Sequence, residues 1–443
     1  MKIDFPLGVS SSAFQIEGGW NSDGKGESIW DRWLHIPGKG AATGDVSTDH
    51  YHRWEEDVEL LRELGVDSYR FSVSWPRVMP DGEGRVNAEG LAFYKNLVSR
   101  LKEYGISPAV TLYHWDLPQK LQDQGGWANR NTAKAFQVFA EVMFEALGDA
   151  VDVWITHNEP FVAAYMGHAN GRFAPGHTDI SEALAVSHNI LLSHGLAVWS
   201  FRKGKYKGKI GITLDFYPSE PASDTTEDIL AAKRDRDSHL GWFADPVFFG
   251  QYPQEMWDWY ARKGVTMPQI SPGDMRIIAQ PLDFLGINYY RPSTIRHCEG
   301  NNWPYDNAYA ADLSEKDNAL FRLCPEALGK YLRYINDAYA PREIIITENG
   351  FSAVEAPDRH GRIQDHNRID YLYRHLEQCI LARQSGVPIA GYYVWCFLDD
   401  LEWTAGYKTR MGLVRVDYDT MKRTIKESGY WYKRVIQNRK LVD

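Results

Sequence analysis

The sequence has 443 residues and sets 49 Lys plus Arg against 59 Asp plus Glu, a formal net charge of -10. That acidic surplus repels phosphate backbones and speaks against nucleic acid as a partner. With 44% hydrophobic and 24% charged residues the chain has the balance of a globular protein and the length for a large core, so a disordered chain is excluded.

In chain order, short β-branched or aromatic runs alternate with stretches whose apolar residues recur every three or four positions. The pattern predicts a strand over 7–14, a helix over 52–64, a strand over 66–73 and a helix over 88–104. A strand over 108–114, a helix over 132–147, a strand over 151–158 and a helix over 182–201 follow. Strands come next over 209–216 and 283–289, then a helix over 325–338, a strand over 343–347, a helix over 366–384 and a strand over 389–397. A last helix over 421–437 is placed to close the ring. Strands alternating with helices make a parallel sheet, and eight such units are the number that closes a barrel. The expectation is therefore an α/β fold, one (β/α)8 barrel over residues 1–443, with long loops at the carboxyl ends of the strands. Two doubly wound domains are the alternative, but no Gly-, Ser- or Pro-rich linker divides the chain and no GxGxxG follows a strand.

No apolar run approaches the roughly 18 residues of a membrane span, and the opening MKIDFPLG lacks the regions of a signal peptide. Cys298, Cys324, Cys379 and Cys396 form no CxxC pair, which points away from zinc or a disulfide framework and toward a reducing compartment. A cytoplasmic protein with no membrane partner is expected. The 16 Trp and 25 Tyr exceed what a core needs and suit flat apolar ligand faces such as sugar rings.

Catalytic groups in such a barrel come from the carboxyl ends of the strands. Those ends carry Gln15, Arg70, His114 with Trp115, Asn158 with Glu159, Asp215, Asn288 with Tyr290, Glu348 and Trp395. THNEP on the fourth unit and ITENG on the seventh each place one Glu just past an apolar strand, so two carboxyls face one hollow. Paired carboxyls lined by Trp, His, Asn and Gln suit glycoside hydrolysis. A gap of about 5–5.5 Å between them means double displacement with retention, and about 6.5–9.5 Å means inversion.

These residues resemble glycoside hydrolase family 1, the retaining β-glucosidases and their relatives. The likeness rests on FPLGVSSSAFQIEG at 5–18, YHW at 113–115, NEP at 158–160, NYY at 288–290, TENG at 347–350 and LEW at 401–403, in that order along the whole chain. The resemblance implies a barrel fold, Glu159 as general acid/base and Glu348 as the nucleophile. It also implies support of Glu348 by Arg70 and Tyr290, and contact of Asn158 with the sugar 2-hydroxyl. Gln15, His114, Trp115, Asn288, Glu402 and Trp403 join the substrate-binding set, with Trp395 as a platform under the ring. No cofactor and no metal are implied. The partner is a β-glucoside or oligosaccharide, and a homo-oligomer is compatible with the sequence.

Departures from the family pattern fall at Leu7, His157 and Cys396, and at Asp400 and Leu401 in WCFLDDLEW. A phospho-β-glycosidase carries Ser, Lys and Tyr in that last loop, where this chain reads Glu402, Lys408 and Arg410. Glu402 repels a phosphate dianion, so an exo-acting β-glucosidase, with galactosyl or fucosyl residues as further glycones, is favoured over a 6-phospho-β-glucosidase. A non-catalytic sugar-binding barrel is the other alternative, weakened because both carboxyls are present. Asp49, His50 and His52 look superficially like metal ligands, but they precede a helix and Asp49 is read as its cap. Trp242, Trp257 and Trp259 are read as helix-face residues and Trp303 as an aglycone contact.

Overall fold

The computed structural model describes residues 1–299, 307–309, 323–353 and 355–442, and Trp303 lies outside them. Eight strands stand on the apolar runs: β1 Leu7–Ser10, β2 Ser68–Ser72, β3 Ser107–Tyr113, β4 Val153–Asn158, β5 Lys209–Phe216, β6 Phe284–Tyr289, β7 Ile344–Asn349 and β8 Ile389–Trp395. Each pairs in parallel with its chain neighbours and β8 returns to β1, which closes a (β/α)8 barrel and leaves it no edge. Helices α1 His50–Leu64, α2 Ala88–Glu103, α3 Asn131–Leu147 and α4 Ile180–Gly204 wrap the first half. Helices α5 Thr226–Arg236, α6 Trp242–Phe249, α7 Gln254–Arg262, α8 Pro325–Tyr339, α9 His366–Gln384 and α10 Glu427–Asn438 complete the outer layer. Among the described residues no helix is long and apolar enough to cross a membrane.

Beyond shifts of a few residues at element ends, the predicted elements and the observed ones differ as follows. The first strand stops at Ser10, not at residue 14: Ala13 turns into the short helix Ala13–Ile16, held by its N–H on the Ser72 hydroxyl at 2.7 Å. The final helix does not begin at residue 421, because Arg423–Ile425 first pairs antiparallel with Val414–Val416. Asp49 does not cap α1. Its backbone is left-handed, with φ 57°, and its carboxylate bonds His52 instead at 2.6 Å. Between β5 and β6 the sequence analysis delimited no helix and read only Trp242, Trp257 and Trp259 as helix-face residues; α6 and α7 carry those three, and α5, rich in charge and without an apolar stripe to read, precedes them. Trp242 is buried on α6, and Trp259 on α7 is covered by Arg234 and Arg262.

Two cores result. A large one lies between the barrel and its helices, and a small one plugs the barrel interior with Ala109, Ile155, Phe284, Ile345 and Tyr393. Tyr393 fits because Gly8 stands beside it: a Cβ there would sit 2.6 Å from the ring. Above this plug the inward positions turn polar, with Arg70, Thr111, Thr213, Asn288 and Thr347 all buried. The apolar plug thus seats a polar layer at the end where the site residues gather.

Buried ion pairs tie the barrel's first helix and its loops to the carboxy-terminal segment. Asp57 on α1 receives His50 Nδ1 at 2.8 Å and Arg423 Nε at 2.9 Å, both partners nearly free of solvent contact. Farther round, Arg410 and Lys426 bracket Asp399 at 2.7 and 2.8 Å, and Lys426 and Arg368 bracket Glu355 at 2.9 and 2.7 Å. Removing one member of such a pair strands a buried charge. Asp57→Ala is therefore expected to lower the unfolding free energy by about 3–5 kcal/mol, read as an earlier midpoint in chemical denaturation, with Asp57→Asn losing less.

Candidate active site

Residues at several strand ends meet in one hydrogen-bonded network. Glu348 comes from the last turn of β7 and Glu159 from the residue after β4, and the ladders shift register beside both, between Ile346 and Glu348 and between Ile155 and Asn158. Such irregularities at strand ends re-aim side chains. Glu159 also adopts φ 49°, Trp115 φ 76° and Trp403 φ 47°, a left-handed conformation that costs a non-glycine residue about 1–3 kcal/mol. Three site residues held that way mark a place where the surrounding fold overrides local preference.

Arg70 joins the two carboxyl neighbourhoods. Its Nη1 donates to Glu348 Oε1 at 2.7 Å and to the Thr347 carbonyl at 2.9 Å, its Nη2 to Asn158 Oδ1 at 2.6 Å and its Nε to Thr111 Oγ1 at 3.2 Å. Tyr290 donates its hydroxyl to the other oxygen of Glu348 at 2.6 Å. Asn288 donates to Glu159 Oε1 at 2.7 Å and to Asn158 Oδ1 at 3.0 Å, while its own carbonyl accepts from Thr347 Oγ1 at 2.7 Å. Asn288 thus links Glu159 to Asn158.

The two carboxyls have different surroundings. Burial pushes Glu159 well above the usual carboxylate range, and the charges of Glu348 and Asp215 push it further. Burial raises Glu348 too, but Arg70 and Tyr290 oppose that by stabilising its ionised form. The surroundings thus favour the ionised form at Glu348 more than at Glu159.

Around the pair lie groups with free hydrogen-bonding capacity. His114 is neutral, driven down chiefly by burial and then by Arg70. Its Nε2 accepts from Asn158 Nδ2 at 3.1 Å, which puts the ring proton on Nδ1, a buried atom with no protein partner. Gln15 donates one amide hydrogen to the Leu401 carbonyl at 2.9 Å and accepts from Ser12 at 2.6 Å, so one N–H stays free. Glu402, half-buried, has its carboxyl raised to about 7, by burial first and then by Glu348. His114 lies nearly parallel to both Trp395 and Trp403, with ring centroids 5.8 and 5.9 Å away, so the three form flat walls. Trp115 packs against Trp403, with ring centroids 4.5 Å apart and planes tilted by 36°, and donates its indole N–H to the Asn158 carbonyl at 2.9 Å, which makes it a brace for that wall.

Two carboxyls in this neighbourhood were absent from the sequence-derived site. Asp215, at the end of β5, is buried with Oδ2 unpartnered and is raised to about 6, chiefly by burial. Asp400, two positions before Glu402, is buried with both oxygens unpartnered and is pushed well up by burial and then by Glu402. Asp215 had stood among the strand ends without a role, and position alone carried that signal. His157, one of the departures from the family pattern, points away: it bonds Ser193 at 2.8 Å on α4 and packs on Phe136 at 4.5 Å.

Comparison with known proteins places the chain among relatives. The pattern of the family described as Glycosyl hydrolase family 1 matches residues 1–441. Beta-glucosidase A of Acetivibrio thermocellus is 46% identical over 438 residues, 98% of each chain. A beta-glucosidase of Agrobacterium sp. is 41% identical over 97% of this chain and 94% of its own. The solved beta-glucosidase from Thermotoga maritima in complex with glucoimidazole superposes with a TM-score of 0.95 at 43% identity, covering 99% of this chain and 100% of that one.

The raised carboxyl of Glu402 opposes folding wherever it must ionise. Its folded-state value of about 7 exceeds the ordinary 4.5, so the opposition is absent below 4.5, grows as pH rises through 7 and levels off above it. Glu402→Gln is accordingly expected to melt at a higher temperature than the native protein at pH 8, with the difference vanishing near pH 4, in paired thermal scans.

Proposed function

The chain belongs to glycosyl hydrolase family 1, and from that premise we propose that it is a retaining, exo-acting β-glucosidase with Glu348 as nucleophile and Glu159 as general acid/base. The whole chain is read as one catalytic unit. The observation that carries this reading is the asymmetry of the pair: Arg70 and Tyr290 hold Glu348 ionised, while burial and the anion of Glu348 keep the proton on Glu159.

In the first half-reaction Glu348 attacks the anomeric carbon and Glu159 gives its proton to the departing glycosidic oxygen, leaving a glycosyl ester on Glu348. Esterification removes the charge of Glu348, which is one of the causes holding Glu159 protonated. The value of Glu159 therefore falls when it must act as base and take a proton from the incoming water. Water then attacks the same carbon, frees Glu348 and yields the β-anomer. Asn158 keeps an N–H for the 2-hydroxyl, while His114 Nδ1, the free amide hydrogen of Gln15 and the Glu402 carboxylate receive the remaining hydroxyls. Trp395 and Trp403 supply apolar faces for the ring. Galactosyl and fucosyl residues are read as further glycones and cellobiose as a natural substrate, in a cytoplasmic setting.

The 6-phosphate alternative loses its cations. Arg410 is tied to Asp399 at 2.7 Å and to the Val416 carbonyl at 2.9 Å, Lys408 is exposed, and Glu402 faces the hydroxyls. Turnover of 4-nitrophenyl β-glucoside is expected to exceed that of its 6-phosphate.

Glu348→Gly should abolish turnover of aryl β-glucosides while folding persists, and added azide should restore it with α-glucosyl azide as product. NMR of the native reaction should show β-glucose first; an α-anomer first, or native turnover by Glu348→Gly, overturns the assignment. Tyr290→Phe removes a hydrogen bond that favours ionised Glu348, so the acidic limb of kcat/KM is expected to move upward by about 1–2 pH units, measured as a full pH profile.

A further inference from the structure

Away from the carboxyl pair, the chain gathers His168, His177 and Glu182. His168 lies near the end of the helical stretch Val162–Ala169, which follows Glu159 almost directly; His177 stands in the next loop and Glu182 in the first turn of α4. Nδ1 of His168 and Nδ1 of His177 meet the same Glu182 Oε1 at 3.1 and 2.9 Å, and the three donor atoms lie within 4.8 Å of one another. The rings stand edge to face, 5.2 Å between centroids at 90°, so neither covers the other. Exposure is graded from 2% at His168 to 24% at Glu182 and 43% at His177, which leaves one side of the cluster open to water.

We propose that His168, His177 and Glu182 form a binding site for a divalent cation of the Zn2+ type, with water in the fourth position. Two imidazoles and a carboxylate are a donor set that Zn2+ accepts, whereas Mg2+ and Ca2+ prefer oxygen alone. Bonds of about 2.0–2.2 Å in a tetrahedron set ligand atoms roughly 3.3 Å apart, and the two spacings to Glu182 lie within a few tenths of an ångström of that. Binding forms two N–metal bonds and one O–metal bond, and the hydrogens now on Nδ1 move to Nε2 or leave as protons to solvent.

The ion ties both ends of the 170–179 segment to α4. That segment carries Phe173, whose ring lies 5.3 Å from Trp30 and 5.9 Å from Trp115. The cation braces the aromatic packing behind Trp115 and touches neither Glu159 nor Glu348. Its role is structural and does not depend on the hydrolytic reading.

The same cluster could be a hydrogen-bonded triad alone, and metal uptake separates the two. Full-length protein stripped with EDTA is titrated with Zn2+ by calorimetry and with Co2+ by visible absorption. The expected result is one saturable equivalent of Zn2+, tetrahedral-type Co2+ bands that Zn2+ displaces, and a melting temperature that rises with Zn2+ concentration. His177→Ala, at a side chain 43% exposed, and Glu182→Gln should each abolish that equivalent while the stripped proteins keep the native circular dichroism. The proposal is overturned if the native protein shows no saturable equivalent. It is equally overturned if both variants keep it, because an exposed pair such as His52 and Asp49 is then the binder.

Discussion

Arg70 is the interaction on which the interior depends. Glu348 and Glu159 are both buried, and burial alone would protonate both. One guanidinium reaching from β2 to β3, β4 and β7 makes them unequal, because it bonds Glu348 directly and approaches Glu159 only through Asn158 and Asn288. Its partners lie 41, 88 and 278 positions away along the chain, and closure of the barrel brings them together. The apolar plug beneath keeps water from the guanidinium and makes each of those bonds count for more.

Much of this was legible in the sequence. Strands announce themselves by β-branched runs, and eight runs with helices between them leave few topologies open, which is why Glu159 and Glu348 could be assigned to one mouth before any coordinates. The reading failed where tertiary contacts override local pattern. The first strand was carried across Ser10, Ser11 and Ser12 to Phe14, yet a hydrogen bond from Ala13 to Ser72 turns the chain into a helix there. Charge hides α5, whose partners are supplied by the neighbouring strands and helices. Asn288 looked like one more polar strand end, and nothing local says that its amide belongs to Glu159. His168, His177 and Glu182 carry no recognisable spacing, because their meeting depends on how the loop between them folds back.

Left-handed backbone at Trp115, Glu159 and Trp403 gives a second view of the same design. These residues are not glycine, so their conformation is imposed by packing. Trp403 is wedged between Phe14 at 5.8 Å and Trp30 and Trp115, each at 4.5 Å. The aromatic cluster thus holds the backbone that carries Glu402 beside it. Many of the 16 Trp, an excess visible in the composition, are structural before they are ligand contacts.

The loop after β8 shows how selectivity and architecture become entangled. Arg410, which follows Glu402 and Lys408 in this loop, is anchored on Asp399, which also holds Lys426, which in turn holds Glu355 and through it Arg368. Turning this guanidinium toward an anionic substrate would uncouple a relay that staples the carboxy-terminal segment to α9. An evolutionary path from neutral to charged glycones along this loop must therefore rebuild the scaffold before, or together with, the recognition surface, so single substitutions there are poor stepping stones.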